Sequence, residues 1–136
     1  MVWEPDPRDW SPRGEIPGAP IWPEFVDMYL ETALWSETDE NEKPLDENYD
    51  VDDFSQKAID QAVEESNKFI KANLKDLKAV GNPSHHGHDF WLTRNHHGAG
   101  FWDRDYGKRG DRLTKAAHKF GERHVYVGVD GLLYLR

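Results

Sequence analysis

The chain contains no cysteine. Disulfide frameworks and thiolate zinc sites are therefore excluded, and the absence fits a reducing compartment. No apolar run reaches 18 residues, so no segment combines the length and hydropathy of a membrane span. The N-terminal stretch "MVWEPDPRDWSPRGEIPGAP" has no basic region followed by an apolar one and predicts no signal peptide. A cytoplasmic protein is the expectation. Apolar residues are sparse, at 37%, against roughly 45–50% in globular chains on a count that includes glycine. Six Trp and six Phe partly compensate, because aromatic rings bury large areas. Positive charge is short as well: 17 Lys and Arg face 26 Asp and Glu, a net −9.

What is present is unevenly placed. Residues 1–82 hold 8 basic and 20 acidic side chains (−12), and residues 83–136 hold 9 and 6 (+3). An acidic half joined to a mildly basic, histidine-rich half predicts two different faces. A chain of 136 residues predicts one domain with a real core. Residues 1–20 hold five of the eight prolines and predict an extended arm, since proline fixes φ and disfavours helix before it. Residues 21–136 are then a single α+β domain.

Within it, "PEFVDMYLETALW" (23–35) predicts a helix, with Pro23 at the first position and an apolar stripe at helical spacing. Residues 36–53 form an acidic connector, with nine carboxylates against Lys43 alone and Leu45, Tyr49 and Val51 as anchors. It lacks the spaced D-x-D-x-D-G pattern of a calcium loop. Residues 54–80 predict a long helix, capped by Asp52 or Asp53 and ended by Gly81 and Pro83. Residues 89–104 predict a β-hairpin: "DFWLTR" and "AGFWDR" are strand-like and flank Asn95-His96-His97-Gly98, a type I turn with a closing glycine. Residues 111–120 predict a short helix capped by Asp111 and stopped by Gly121. Residues 124–135 predict a second hairpin around Asp130-Gly131. The order α-α-β-β-α-β-β is an α+β fold, with helices packed on one face of a small antiparallel sheet built from two hairpins.

Several segments together, "ETALWS", "PLDENYDVDD", "GHDFWLTRNHHGAGFWDRDYG", "DRLTKAAHKFG" and "YVGVDGLLYL", resemble a family of small proteins encoded by tailed bacteriophages. The resemblance runs from about residue 24 onward. That family has no known function, so the resemblance implies a setting, the cytoplasm of an infected bacterium, and not a mechanism. Its pattern has one histidine before the turn glycine, here His97. His96 and the "SHHGH" cluster at 84–88 depart from it.

The candidate chemistry centres on residues 84–106, which hold five of the seven histidines and three aspartates. Neutral imidazoles suit zinc, copper, nickel or iron, and His85, His86, His88, Asp89, His96, His97, Asp103 and Asp105 are potential ligands. No H-E-x-x-H pair occurs. A hairpin bearing His97 before a helix bearing His118 mimics the order of a ββα metal nuclease, but residues 98–117 lack the asparagine such enzymes place between them. No serine lies in a nucleophile elbow, and "GKRGD" (107–111) has neither dinucleotide nor Walker spacing. Trp91, Phe101, Trp102 and Tyr106 interleave with Arg94, Arg104, Lys108 and Arg109, a pattern that suits single-stranded nucleic acid along residues 90–112. The bland alternative is that half of these rings are core. The acidic run along 37–65 could mimic DNA phosphates or simply solubilise.

These features predict a non-enzymatic accessory or host-modulating protein that needs no cofactor. It would bind a host protein, or nucleic acid, through Trp91, Arg94, His97, Phe101, Trp102, Asp103 and Arg104. Rings would supply contact area and arginines charge-assisted hydrogen bonds. The alternative is a metal-dependent hydrolase or nuclease using His97 with Asp103 or Asp105.

Overall fold

Helix α1 (Pro23–Ser36) opens on Pro23, whose missing N–H costs nothing at that position. It buries Phe25, Val26, Tyr29, Leu30, Ala33 and Leu34 along one stripe. In the computed structural model of the chain, residues 19–136 are described. The proline-rich arm, apart from Ala19 and Pro20, lies outside them.

The acidic connector makes two short 3₁₀ turns, Leu45–Glu47 and Val51–Asp53. Leu45 is its buried anchor, and Tyr49 and Val51 pack partly against the core. Asp50 and Asp53 form a reciprocal capping box around the second turn. The following helix, α2 (Gln56–Ala72), is therefore capped by Ser55, whose hydroxyl accepts from Ala58 N at 3.0 Å, and not by Asp52 or Asp53. The expected single helix 54–80 breaks at Asn73. Its backbone leaves the helical region (φ −126°, ψ 21°), and its side-chain amide donates to Phe69 O. A short α3 (Leu74–Ala79) follows.

The largest correction lies at residues 83–104. The expected first hairpin does not form. Asn82 accepts from His85 N at 2.9 Å, Pro83 takes the first helical position, and α4 (Pro83–Arg94) runs through the stretch read as a strand. Its end is a Schellman-type stop. His97 N donates to Leu92 O and His96 N to Thr93 O, with His96 in the left-handed region at φ 60°. The second expected strand is a loop with one 3₁₀ turn, Phe101–Asp103. Helix α5 (Lys108–His118) starts three residues earlier than expected, so Asp111 lies within its first turn and is not its cap. Gly121, left-handed at φ 74°, ends that region as expected.

The expected α+β sheet is thus replaced by a mainly helical fold, with five α-helices and one small sheet among the described residues. That sheet is the terminal hairpin, β1 (Val125–Val127) against β2 (Leu133–Leu135), with Val125 opposite Leu135 and Val127 opposite Leu133. Its turn is longer than two residues. Gly128 N donates to Leu132 O and Gly131 N to Gly128 O, with Gly131 at φ 82°, the three-residue loop with a left-handed closing glycine.

The core is a stack of rings held between α1, α2 and α4. Phe69 and Phe90 stack at 4.2 Å with planes 12° apart, and Tyr29 meets Trp91 edge-on at 5.1 Å. Helices α1 and α4 approach so closely at Gly87 that a Cβ there would lie 2.0 Å from Phe25 O. Among the described residues, no helix is long and apolar enough to cross a membrane.

Candidate functional site

The residues named from sequence divide between the interior and the surface. Trp91, Arg94 and Phe101 are fully buried. The Trp91 indole donates to Ser36 Oγ at 2.9 Å, and Phe101 stacks on Phe69 at 5.6 Å. Arg94 is the hub of an internal network. Its Nε donates to Gly121 O, Nη2 to Phe120 O, and Nη1 to both Tyr29 Oη and Glu65 Oε1, all within 2.8–2.9 Å. Its guanidinium also lies over the Phe90 and Phe120 rings. Arg123 grips the same Glu65 carboxylate through two bonds of 3.0 Å. Burial pushes the Glu65 carboxyl up, but the hydrogen bonds from Arg123 and Arg94 outweigh it and hold the group below the usual carboxylate range. Burial likewise drives the Tyr29 phenol up to about 12, despite Arg94 beside it. This network ties α1, α2 and α4 to the end of α5; it is internal bracing.

His97, Trp102, Asp103 and Asp105 are exposed. The Asp103 carboxylate accepts from Ala99 N and closes its own loop. Asp105 is left-handed at φ 59°. Among the described residues no three or more His, Asp or Glu side chains gather as a metal site. The histidines are scattered by the helical geometry of α4. His86 is buried, its Nε2 between Leu77 O at 2.9 Å and Val80 O at 2.7 Å, where an Nε2–H can donate to both. Burial holds its pKa below the ordinary imidazole value. His96 stacks on His118 at 4.2 Å. Burial, then the neighbouring His96, lowers the His118 pKa.

A titratable cluster on α4 reaches the surface. Asp89 is fully buried and bidentate to Arg104 at 2.9 Å, and its Oδ1 meets His88 Nδ1 at 2.8 Å. The Trp35 ring lies 5.8 Å from His88. Tyr106 is raised by burial and by the Asp89 charge. A carboxylate that orients an imidazole is half of a general-base device. Through Arg104, Asp89 ties α4 to the loop that follows it.

The apolar surface lies elsewhere. Six large hydrophobic side chains are exposed among the described residues: Trp35, Trp102, Tyr126, Val127, Val129 and Leu132. Four of the six belong to the terminal hairpin, and Val129 at its tip is fully exposed. Beside β1 lies a groove of about 640 Å³, walled by Thr38, Asp39, Glu40 and Asn41 and floored by Leu45 and Tyr49. The wall is a small loop of the acidic connector, closed by Asp39 N donating to Lys43 O at 2.8 Å and Leu45 N to Glu37 O at 3.0 Å. Tyr126 stacks on Tyr134 at 5.5 Å, with the Arg136 guanidinium over its ring.

The residue-level reading of the sequence missed this surface, although it placed the hairpin. The overlooked signal is that "VYVGVDGLLYL" is apolar at nearly every position. A ribbon with one buried face alternates, so strands that are apolar at every position, "VYV" and "LYL", leave apolar side chains outward. Compared with protein-family models, with curated proteins and with solved structures, the chain gives no match.

Proposed function

We propose that the protein works by binding another protein through its terminal hairpin, and not by catalysis. The observation that carries this reading is the concentration of exposed apolar side chains, Tyr126, Val127, Val129 and Leu132, on one ribbon beside a groove. Apolar exposure gathered on one element marks an interaction surface more than exposure scattered over the molecule does. The resemblance to small phage proteins makes a bacterial host protein the natural partner and host modulation the natural role.

Nucleic acid fits the geometry less well. Within residues 90–112, Trp91 and Phe101 are buried, and Arg94, Arg104 and Arg112 are engaged by Glu65, Asp89 and Asp76. Few rings and cations are left for bases and phosphates. The metal-hydrolase alternative has no gathered ligand set among the described residues.

The test is capture from bacterial lysate by immobilised protein, comparing wild type with a Val129→Asp/Leu132→Asp double variant and with Trp102→Ala. The reading predicts a specific partner lost at least tenfold in the double variant and retained in Trp102→Ala. A partner lost with Trp102 and kept by the hairpin variant would contradict it.

A further inference from the structure

The free edge of β1 has a definite hydrogen-bonding state. His124 N and Arg136 O, and Arg136 N and His124 O, pair at 2.9 and 3.0 Å, and Gly128 N reaches Leu132 O at 2.8 Å. Antiparallel pairing alternates, so residues 124, 126 and 128 bond toward β2, and Val125 and Val127 turn their N–H and C=O groups to the outer edge. The other side of the ribbon is covered: Phe54 bridges Leu133 in parallel, and Ser55 N donates to Leu133 O at 2.8 Å. Of the outward groups on β1, Val125 N is satisfied by Glu37 Oε1 at 3.2 Å. Among the described residues nothing hydrogen-bonds to the Val127 N–H or C=O, and Val127 lines the groove. An uncovered edge with unspent backbone groups is a template for another strand.

The chemistry of the groove selects among occupants. Its facing wall carries Asp39 and Glu40, while the lining cation Arg136 sits on the hairpin side with its guanidinium over the Tyr126 ring, and Glu37, at the foot of the wall, is met by His124. Its floor and the β1 side chains offer Leu45, Tyr49 and Val127. A second copy of this chain brings a net −9 and is repelled over the whole approach. Residues 1–18 of this chain carry two arginines against four carboxylates, so they are not complementary either.

We propose, resting on the protein-binding reading above, that the groove takes an extended, lysine- or arginine-bearing segment of a partner protein as an added strand on β1. Backbone bonds at Val127 would supply affinity, alternate apolar side chains would pack toward Leu45 and Tyr49, and basic residues would face the acidic wall.

The probe is an end-blocked nine-residue peptide alternating lysine and valine. Its controls are an analogue with glutamate for lysine and one with proline at alternate positions. Each is titrated into the full chain and followed through backbone amide NMR shifts. The lysine peptide should shift amides of residues 125–129 and 38–41, bind at least tenfold more tightly than either control, and weaken with salt. Val127→Pro removes an outward N–H while sparing the bonds to β2, as an edge position allows, and should weaken binding at least tenfold. Glu40→Lys, on the exposed wall, should weaken it at least threefold with no change to the fold. Equal binding of the proline or glutamate peptide, or shifts outside the groove, would overturn the proposal. So would sedimentation showing that the chain pairs with itself through residues 125–129. If the lysine peptide fails while hairpin-dependent capture from lysate persists, the added-strand proposal falls and the protein-binding reading stands.

Discussion

Arg94 shows how little a residue's type says about where it works. In the sequence it sits between aromatic residues and resembles a surface arginine awaiting a partner. In the fold it is fully buried, and Glu65, Tyr29 and two backbone carbonyls take its donors. Breaking a buried pair is more costly than the pair is stabilising, because the remaining charge stays desolvated. Glu65→Gln should therefore destabilise the protein by about 3 kcal/mol, the low end for such losses, since the amide oxygen can still accept one bond. Chemical denaturation at neutral pH measures it. The same group sets an acid dependence. The folded Glu65 carboxyl titrates below its unfolded value, so the unfolded state takes up the proton first as pH falls. Its contribution is complete above the unfolded value, near pH ~4.3, and is lost as pH drops from there through the folded value. Wild type should lose stability more steeply than Glu65→Gln in that window, and equal slopes would remove Glu65 from the account.

At the scale of elements, the decisive contact is α1 against α4 at Gly87. A methyl group there would meet the Phe25 carbonyl at 2.0 Å, and backbone cannot retreat as a flexible side chain can. Gly87→Ala should destabilise by more than about 3 kcal/mol, beyond the usual range for overpacking. Gly98→Ala, whose added carbon would meet only Asp103 at 3.9 Å, should stay within about 0.5 kcal/mol. Thermal unfolding of the two variants side by side checks the helical packing directly, because a hairpin at 89–104 would place neither glycine in this way.

The same helix explains what was legible and what was not. Helix α1 and the terminal hairpin could be read from the sequence because each shows a periodic or turn signal that matches its structure. Helix α4 lies at the centre of the bundle, where Phe90 through Arg94 are all buried in succession. A helix buried all round carries no amphipathic stripe, so its aromatic run looks like a strand. The usable signal was Asn82-Pro83, a cap followed by proline at the first helical position, which also reads as a stop for the preceding helix. As for the candidate site, His97, Trp102 and Asp103 are exposed, Arg104 is half-buried against Asp89, and no ligand set gathers among the described residues. The groove is formed by segments about 85 residues apart in the chain, and no local pattern announces it.

For the whole molecule, the charge asymmetry has a structural meaning. Carboxylates of the acidic half reach into the basic half: Glu65 holds Arg94 and Arg123, and Asp76 holds Arg112. Those pairs take up three of the nine positive charges of residues 83–136. The acidic connector keeps its excess and folds beside the apolar hairpin, so the molecule presents one edge that is apolar in its ribbon and negative along its wall. That combination is the basis for proposing a protein partner and for expecting it to be basic and extended. The claim depends on β1 having an open outer edge. Amide hydrogen exchange of the free protein tests this before any partner is known. The Val127 amide should exchange fast while the neighbouring Tyr126 amide, bonded toward β2 by the alternation of the ladder, is protected at least tenfold more. Equal protection at Val127 would mean that the edge is already covered, and the groove would have no strand to accept.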